Sequence, residues 1–327
     1  MPETTPYPTA GRERNRWITA QRSSVDTTSR AVLDPWRPAA FLTEEERAHN
    51  GEIVPVSTLF LTNKECPWRC LMCDLWRHTL TERVPIGAIP AQIDYALSQL
   101  PEARQIKLYN SGSFFDRGAI PPEDYPKIAA RLQCFERVIV ENHPALLGDD
   151  CLRFRDMVPG QLEVAMGLET VHPEVAPRLN KGSSLEQFSQ AAQWLQSNSI
   201  DLRVFILVKP PFMDEAESLY WAQRSLDFAF DCGATLAALI PTRFGNGALE
   251  TLAGQGQFSP PKLKTLENAA NYGVQSKRGR VFADLWDVEQ FSDCPSCFAA
   301  RRERLSLMNR RQVLLPSIRC ESCGENL

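Results

Sequence analysis

Residues 54–74 read VPVSTLFLTNKECPWRCLMCD. In the first half, Val56, Thr58, Phe60 and Thr62 alternate with Ser57, Leu59 and Leu61. This β-branched, mostly apolar run predicts a buried strand. The strand feeds into Cys66, Cys70 and Cys73, spaced C-x3-C-x2-C. Three thiols on one short loop can converge on one face of a metal cluster. Iron–sulfur clusters are held by thiolates, normally four, so a local set of three leaves one iron open to a ligand that is not protein. The competing reading of the same triplet is part of a zinc site completed elsewhere.

The chain has 327 residues, 43% of them hydrophobic, which suits one α/β barrel of ~250 residues and a small appendage. A net charge of −4 excludes a global field that draws in nucleic acid, so any such binding has to use a local patch. No apolar run reaches the ~18–20 residues of a membrane span, and the first residues lack a signal-peptide core. The expectation is a cytoplasmic protein with no membrane partner. In that reducing compartment the ten cysteines are expected as metal ligands and buried thiols, not disulfides. Cys134, Cys151 and Cys232 stand apart in apolar or helix-end settings and read as small buried hydrophobes.

Beyond the triplet, strand and helix patterns alternate about six times. Strands are predicted over 105–110, 137–141, 162–169, 202–209 and 235–240, with a last one over 280–285. Helical stripes start at Pro90 and run over 125–132, 185–195, 219–229 and 261–272, the last stopped by Gly273. The alternation predicts a parallel sheet with right-handed crossovers. The expected fold is α/β, a partial (β/α)6 TIM-like barrel over 51–290, with chemistry gathered at the strand carboxyl ends. Residues 1–50 read as a loosely ordered arm, with five arginines against two acids between Arg12 and Arg30. Within it, Thr43 followed by Glu44, Glu45 and Glu46 reads as the start of a short helix.

Residues 291–327 read as a small four-cysteine metal module. Cys294 and Cys297, then Cys320 and Cys323, form two C-x2-C pairs with 22 residues between them. Four thiolates close a tetrahedral zinc site; an auxiliary iron–sulfur cluster takes the same four. Between the pairs stand Arg301, Arg302, Arg304, Arg310 and Arg311, opposed by Glu303. That basic helix suits a grip on RNA phosphates as well as it suits a solvated face. At the strand ends stand Ser111, Gly112 and Ser113, where small residues let a ligand approach the backbone, then Glu169, Lys209, Arg243 and Asn246. Arg243 and Asn246 are candidates for substrate recognition.

The cysteine triplet after a first strand resembles the radical S-adenosylmethionine (SAM) superfamily. Gly167, Leu168, Glu169 and Thr170, followed by Leu179, Asn180, Lys181 and Gly182, are similar to the branch containing the Elongator catalytic subunit and the methylthiotransferases. Met72 departs from the pattern, since the family commonly has an aromatic residue there. The resemblance implies a [4Fe-4S] cluster on Cys66, Cys70 and Cys73 with its fourth iron chelated by SAM. It implies that Ser111, Gly112 and Ser113 receive the SAM amino group and that Glu169 binds its ribose or amino acid part. Arg203 or Lys209 would clamp the carboxylate, Arg bidentately.

The same resemblance implies an enzyme. An electron donor such as a ferredoxin or flavodoxin reduces the cluster, SAM is cleaved to methionine and a 5′-deoxyadenosyl radical, and the radical takes a hydrogen from the substrate. The run from Asn110 to Asp116, followed by Ile120 and Pro121, resembles the radical SAM subunit of archaeosine synthase. With the basic helix and arm, it implies tRNA as a partner and a tRNA-modification reaction. Two other classes stand beside it. One is radical conversion of a small metabolite or peptide with an auxiliary cluster; the other is a non-catalytic metal-binding adaptor.

Overall fold

The computed structural model describes residues 5–22 and 33–324. Eight strands form one sheet in chain order: β1 (Ala40–Arg47), β2 (Ile53–Phe60), β3 (Gln105–Tyr109), β4 (Arg137–Glu141), β5 (Gln161–Glu169), β6 (Asp201–Val208), β7 (Leu236–Pro241) and β8 (Arg280–Ala283). β1 pairs antiparallel with β2, and every later neighbour is parallel. The helices are α1 (Gly11–Gln21), α2 (Ala88–Leu97), α3 (Tyr125–Arg131), α4 (Asp149–Met157), α5 (Val175–Arg178), α6 (Leu185–Ser197), α7 (Glu215–Asp231), α8 (Ala248–Gly254), α9 (Leu263–Ser276) and α10 (Pro295–Arg311). The sheet curls into an open, partial barrel, as the alternation predicted, with seven parallel strands and an antiparallel edge.

Strand periodicity sorts the side chains. In β3, Ile106 and Leu108 join the core under the helices, while Lys107 and Tyr109 line the inner cavity. In β6, Val204, Ile206 and Val208 pack outward, and Arg203, Phe205 and Leu207 line the inside. The core is thus the layer between sheet and helices, and the barrel interior is left for chemistry.

Two local expectations fail for identifiable reasons. The acidic run at Thr43–Glu46 is not a helix start but the middle of β1. Its alternate carboxylates reach into the barrel. Glu46 meets Lys107 and Arg203, the latter at 2.6 Å, and Glu44 meets Lys107 at 2.9 Å. Tertiary charge pairing overrides the local propensity. Gly273 does not end α9 but lies buried within it, where a Cβ would come within 2.8 Å of Val281; close helix–strand approach, not termination, requires glycine there. The helix ends at Lys277, in the left-handed region at φ 53°.

The described part of the amino-terminal arm is also more ordered than composition suggests. In α1, Trp17 and Ile18 are buried against Ala248, Leu249 and Leu252 of α8. Arg14 donates to the Pro177 carbonyl at 2.6 Å, and Arg22 pairs with Glu65 at 2.6 Å. Arg30 lies outside the described residues.

The C-terminal helix closes the side of the barrel. β8 is an edge strand, and unpaired strand edges need cover. The Gln312 carboxamide accepts from Val281 N–H at 2.7 Å and donates to its carbonyl at 2.9 Å. Asn309 does the same for Ala283. On the opposite edge, Arg47 of β1 donates to the Arg310 carbonyl at 3.1 Å. α10 therefore lies in the seam between the first and last strands.

Candidate functional site

β2 delivers the chain to the carboxyl end of the barrel, and Cys66, Cys70 and Cys73 follow on the connecting loop. Neighbouring segments fix this loop. Leu71 N–H donates to the Leu179 carbonyl at 2.9 Å, and Asn180 Nδ2 donates to the Arg69 carbonyl at 2.7 Å. Asn246 Nδ2 donates to the Leu71 carbonyl at 2.6 Å while its Oδ1 accepts from Leu249 N–H. Asn246, a candidate for substrate recognition, is thus buried support for the cysteine loop. Arg243 lines the cavity but is paired with Asp284 at 2.5 Å.

All three thiols line one cavity of about 1730 Å³. Ligand pockets are typically ~300–1,000 Å³, so this space exceeds what a single cofactor needs. Burial pushes the Cys66 and Cys70 thiols up to about 11 and Cys73 up to about 12. Unliganded they are neutral; a bound metal cation reverses that balance and takes them as thiolates. The loop supplies three thiolates, one fewer than a closed tetrahedral zinc site, whose Zn–S bonds of ~2.3 Å hold two thiolates ~3.8 Å apart.

The strand ends converge on the same cavity. Glu141, ending β4, gathers the backbone N–H groups of Asn110, Ser111 and Gly112, Asn110 at 2.9 Å. Burial nonetheless raises its carboxyl to about 7. With those donors committed, the loop offers a ligand chiefly oxygen acceptors. Ser111 is left-handed at φ 53°, and Ser113 Oγ accepts from His143 N–H at 3.0 Å. Beneath the loop, both ends of the fully buried Asn110 carboxamide lack a partner among the described residues. A Cβ on Gly112 would sit between Cys66 Cβ at 3.5 Å and Asn110 Nδ2 at 3.7 Å. An orphaned amide beside a thiol fits a site completed by something other than protein.

Glu169 lies at a register shift in β5 and takes φ 67°, a strained conformation of the kind concentrated at functional sites. Its carboxylate pairs with Lys181 Nζ at 2.6 Å. Gly167 makes the room, since a Cβ there would come within 2.1 Å of Glu169 Oε1. Coulombic attraction to Glu169 overcomes desolvation and holds the Lys181 ammonium above its ordinary range.

Arg203 is placed otherwise than expected. It stands near the start of β6, with its guanidinium bound to Glu163 and to Glu46 at 2.6 Å each. Burial alone would raise both carboxyls, but Arg203 leads the cations that hold them below the ordinary carboxylate range. Arg137 adds a bond to Glu163 at 2.9 Å. With its fork committed, Arg203 is a buried member of the barrel floor rather than a free carboxylate clamp. Lys209 is likewise engaged, with Glu215 at 2.6 Å and Ser259 at 2.9 Å. A cation that does stand at the cysteine loop is Lys181, which lines the cavity with Cys66 and Cys70; its place in the stretch after Glu169 was the available signal.

The second cysteine set is compact. The sulfurs of Cys294, Cys297, Cys320 and Cys323 all lie within 4.8 Å of one another, Cys294 and Cys320 at 3.9 Å. That spacing fits one tetrahedral ion. Backbone N–H groups of Cys297 and Ser296 favour the Cys294 thiolate, and those of Cys323 and Ser322 lower Cys320 to about 7. The basic helix is less available than its composition suggests. Arg301 is buried on Glu267 at 2.7 Å, and Arg304 is buried on the Leu315 carbonyl at 2.8 Å and Asn271 at 2.8 Å. Of the five arginines, Arg302 and Arg311 are exposed.

No protein-family model matches the chain. It is 25% identical to an uncharacterised protein of Methanocaldococcus jannaschii, over 89% of this chain and 86% of that one. It is 27% identical to the archaeosine synthase subunit beta of Methanosarcina acetivorans and 30% identical to that of Thermococcus kodakarensis. Those matches cover 65% and 48% of this chain, and span 65% and 51% of the two relatives. Among solved structures, the archaeal Elp3 of Methanocaldococcus infernus with an N-terminal deletion matches with a TM-score of 0.51 at 13% identity, over 72% of this chain and 61% of that one. The fold is shared with that archaeal Elp3 structure. Among the described residues, no helix is long and apolar enough to cross a membrane.

Proposed function

We propose that this chain is a radical SAM enzyme, with a [4Fe-4S] cluster on Cys66, Cys70 and Cys73. One observation carries the reading: these three half-buried cysteines share a cavity with the strand-end loops, and no fourth cysteine is among its described lining residues. When bound, the cluster supplies the electron that splits SAM into methionine and the hydrogen-abstracting 5′-deoxyadenosyl radical. The oxygen-rich loop at Ser111, Gly112 and Ser113 suits the SAM ammonium. Glu169 suits ribose hydroxyls by charge-assisted bonds, and Lys181 suits the carboxylate. The enclosing strands exclude water from a reactive radical. Anaerobic reconstitution and reduction with SAM should yield deoxyadenosine, and Cys70→Ala should abolish it. Equal yield from the variant removes the reading.

The finer reading is modification of a tRNA nucleoside, supported by the two archaeosine synthase relatives and by the run from Asn110 to Asp116. Cations available to RNA phosphates include Arg12, Arg16, Arg302 and Arg311, exposed on the described surface. Binding of tRNA that weakens steeply with salt supports this reading, and indifference to tRNA favours a small metabolite or peptide. At the four-cysteine site we assign zinc, on the strength of its tight sulfur spacing. About four irons per chain match that assignment; about eight match an auxiliary cluster. An electron donor of the ferredoxin or flavodoxin type completes the proposal.

A further inference from the structure

Between Cys66 and Cys70 lie Pro67, Trp68 and Arg69. The Trp68 indole stacks on the His143 imidazole, with ring centroids 3.8 Å apart and planes 17° from parallel. The imidazole cannot swivel, because both nitrogens are engaged. Nδ1 accepts from Ala145 N–H at 3.2 Å, which leaves Nε2 to donate to the Lys181 carbonyl at 3.1 Å. Desolvation lowers this histidine to about 4, so the ring is neutral at ordinary pH. Gly182 abuts the indole edge, where a Cβ would come within 2.8 Å of Trp68 Cδ1. The largest side chain in the Cys66–Cys70 span is therefore held in a slot built from the end of β4 and the loop after α5.

We propose that His143 is a positioning residue for the cysteine loop: its fixed ring seats Trp68 and thereby sets the spacing of Cys66 and Cys70. This rests on the cluster assignment above and goes beyond it, because it gives the span a support outside its own loop. Residues that orient metal ligands typically alter metal affinity by ~10–100-fold when replaced. Two substitutions separate stacking from hydrogen bonding: His143→Phe keeps a stacking ring and loses both bonds, whereas His143→Asn keeps polar groups and loses the ring.

The full chain is reconstituted anaerobically, and iron release to a ferrous chelator is timed, with Cys70→Ala giving the background from the four-cysteine site. The expected result is release about tenfold faster or more in His143→Asn, and a smaller acceleration in His143→Phe, which keeps the ring but not the bonds that fix it. Parental rates in both variants overturn the proposal; so does equal acceleration in both, or acceleration in His143→Phe alone. A second arm uses the cluster-free chain carrying fluorotryptophan, with the Trp68 fluorine resonance assigned through Trp68→Phe. That resonance should move in His143→Asn while the other tryptophan signals stay, which also shows that the variant is folded. An unmoved resonance overturns the slot. If the parent takes no iron at Cys66, Cys70 and Cys73, the cluster assignment falls, and the fluorine arm alone decides whether His143 seats the span.

Discussion

The Asn309 carboxamide holds both backbone groups of Ala283, accepting from its N–H at 2.8 Å and donating to its carbonyl at 2.8 Å. A side chain here plays the part of a neighbouring strand. Replacing it with Asn309→Ala leaves two backbone groups of β8 without partners. Such losses cost about 1–3 kcal/mol per stranded group where water cannot reach. The variant should unfold at lower denaturant concentration, and the Ala283 amide should exchange hydrogen faster than in the parent.

Removing the ion proposed at the four cysteines should loosen the same seam. Cys294 and Cys297 open α10, so losing their ion frees the start of the helix whose far end covers β8. Strong chelation should speed exchange at Val281 and Ala283 and leave Ile106 and Val138, deep in the parallel sheet, protected. Uniform exchange across all four sites would show that the ion supports the whole fold rather than the seam.

Arg203 offers a test of floor against clamp. Arg203→Met leaves Glu46 and Glu163 buried with a cation removed, and breaking a buried pair in this way costs about 3–5 kcal/mol. The expected outcome is a large loss of stability by chemical denaturation. A variant of parental stability that binds SAM weakly would return Arg203 to the cofactor.

Glu141 makes stability depend on pH in a defined direction. Burial raises its folded value to about 7 from an ordinary 4.5, so between those values the folded chain binds more proton than the unfolded chain. Its contribution is fully present below 4.5 and is lost as pH rises through about 7. Glu141→Gln should flatten that part of the stability profile. An unchanged slope would place the titration elsewhere.

Much of this architecture could be read from residue order alone. Alternating apolar residues located the parallel strands, and the cysteine spacings located both cysteine sets. Contacts between distant residues could not be read that way. Glu44 and Glu46 resemble a helix start until Lys107 and Arg203 are known to stand opposite. Arg203 resembles a ligand clamp until Glu163 is found against it. Arg301 and Arg304 count as basic surface in composition, yet fold inward onto Glu267 and the Leu315 carbonyl. Lone polar residues such as His143, Asn246 and Asn309 follow no periodicity, and their partners lie far away along the chain. Charge and hydrogen bonding across the barrel, not local propensity, decide these positions.

The placement of α10 bears on how the protein is made. The cysteine loop leaves the ribosome more than 200 residues before the helix that fills the barrel's flank. At ~5–20 residues per second that is a delay of roughly ten seconds or more. During that interval the nascent chain has its cysteine loop but not the helix that covers the exposed edge of the last strand.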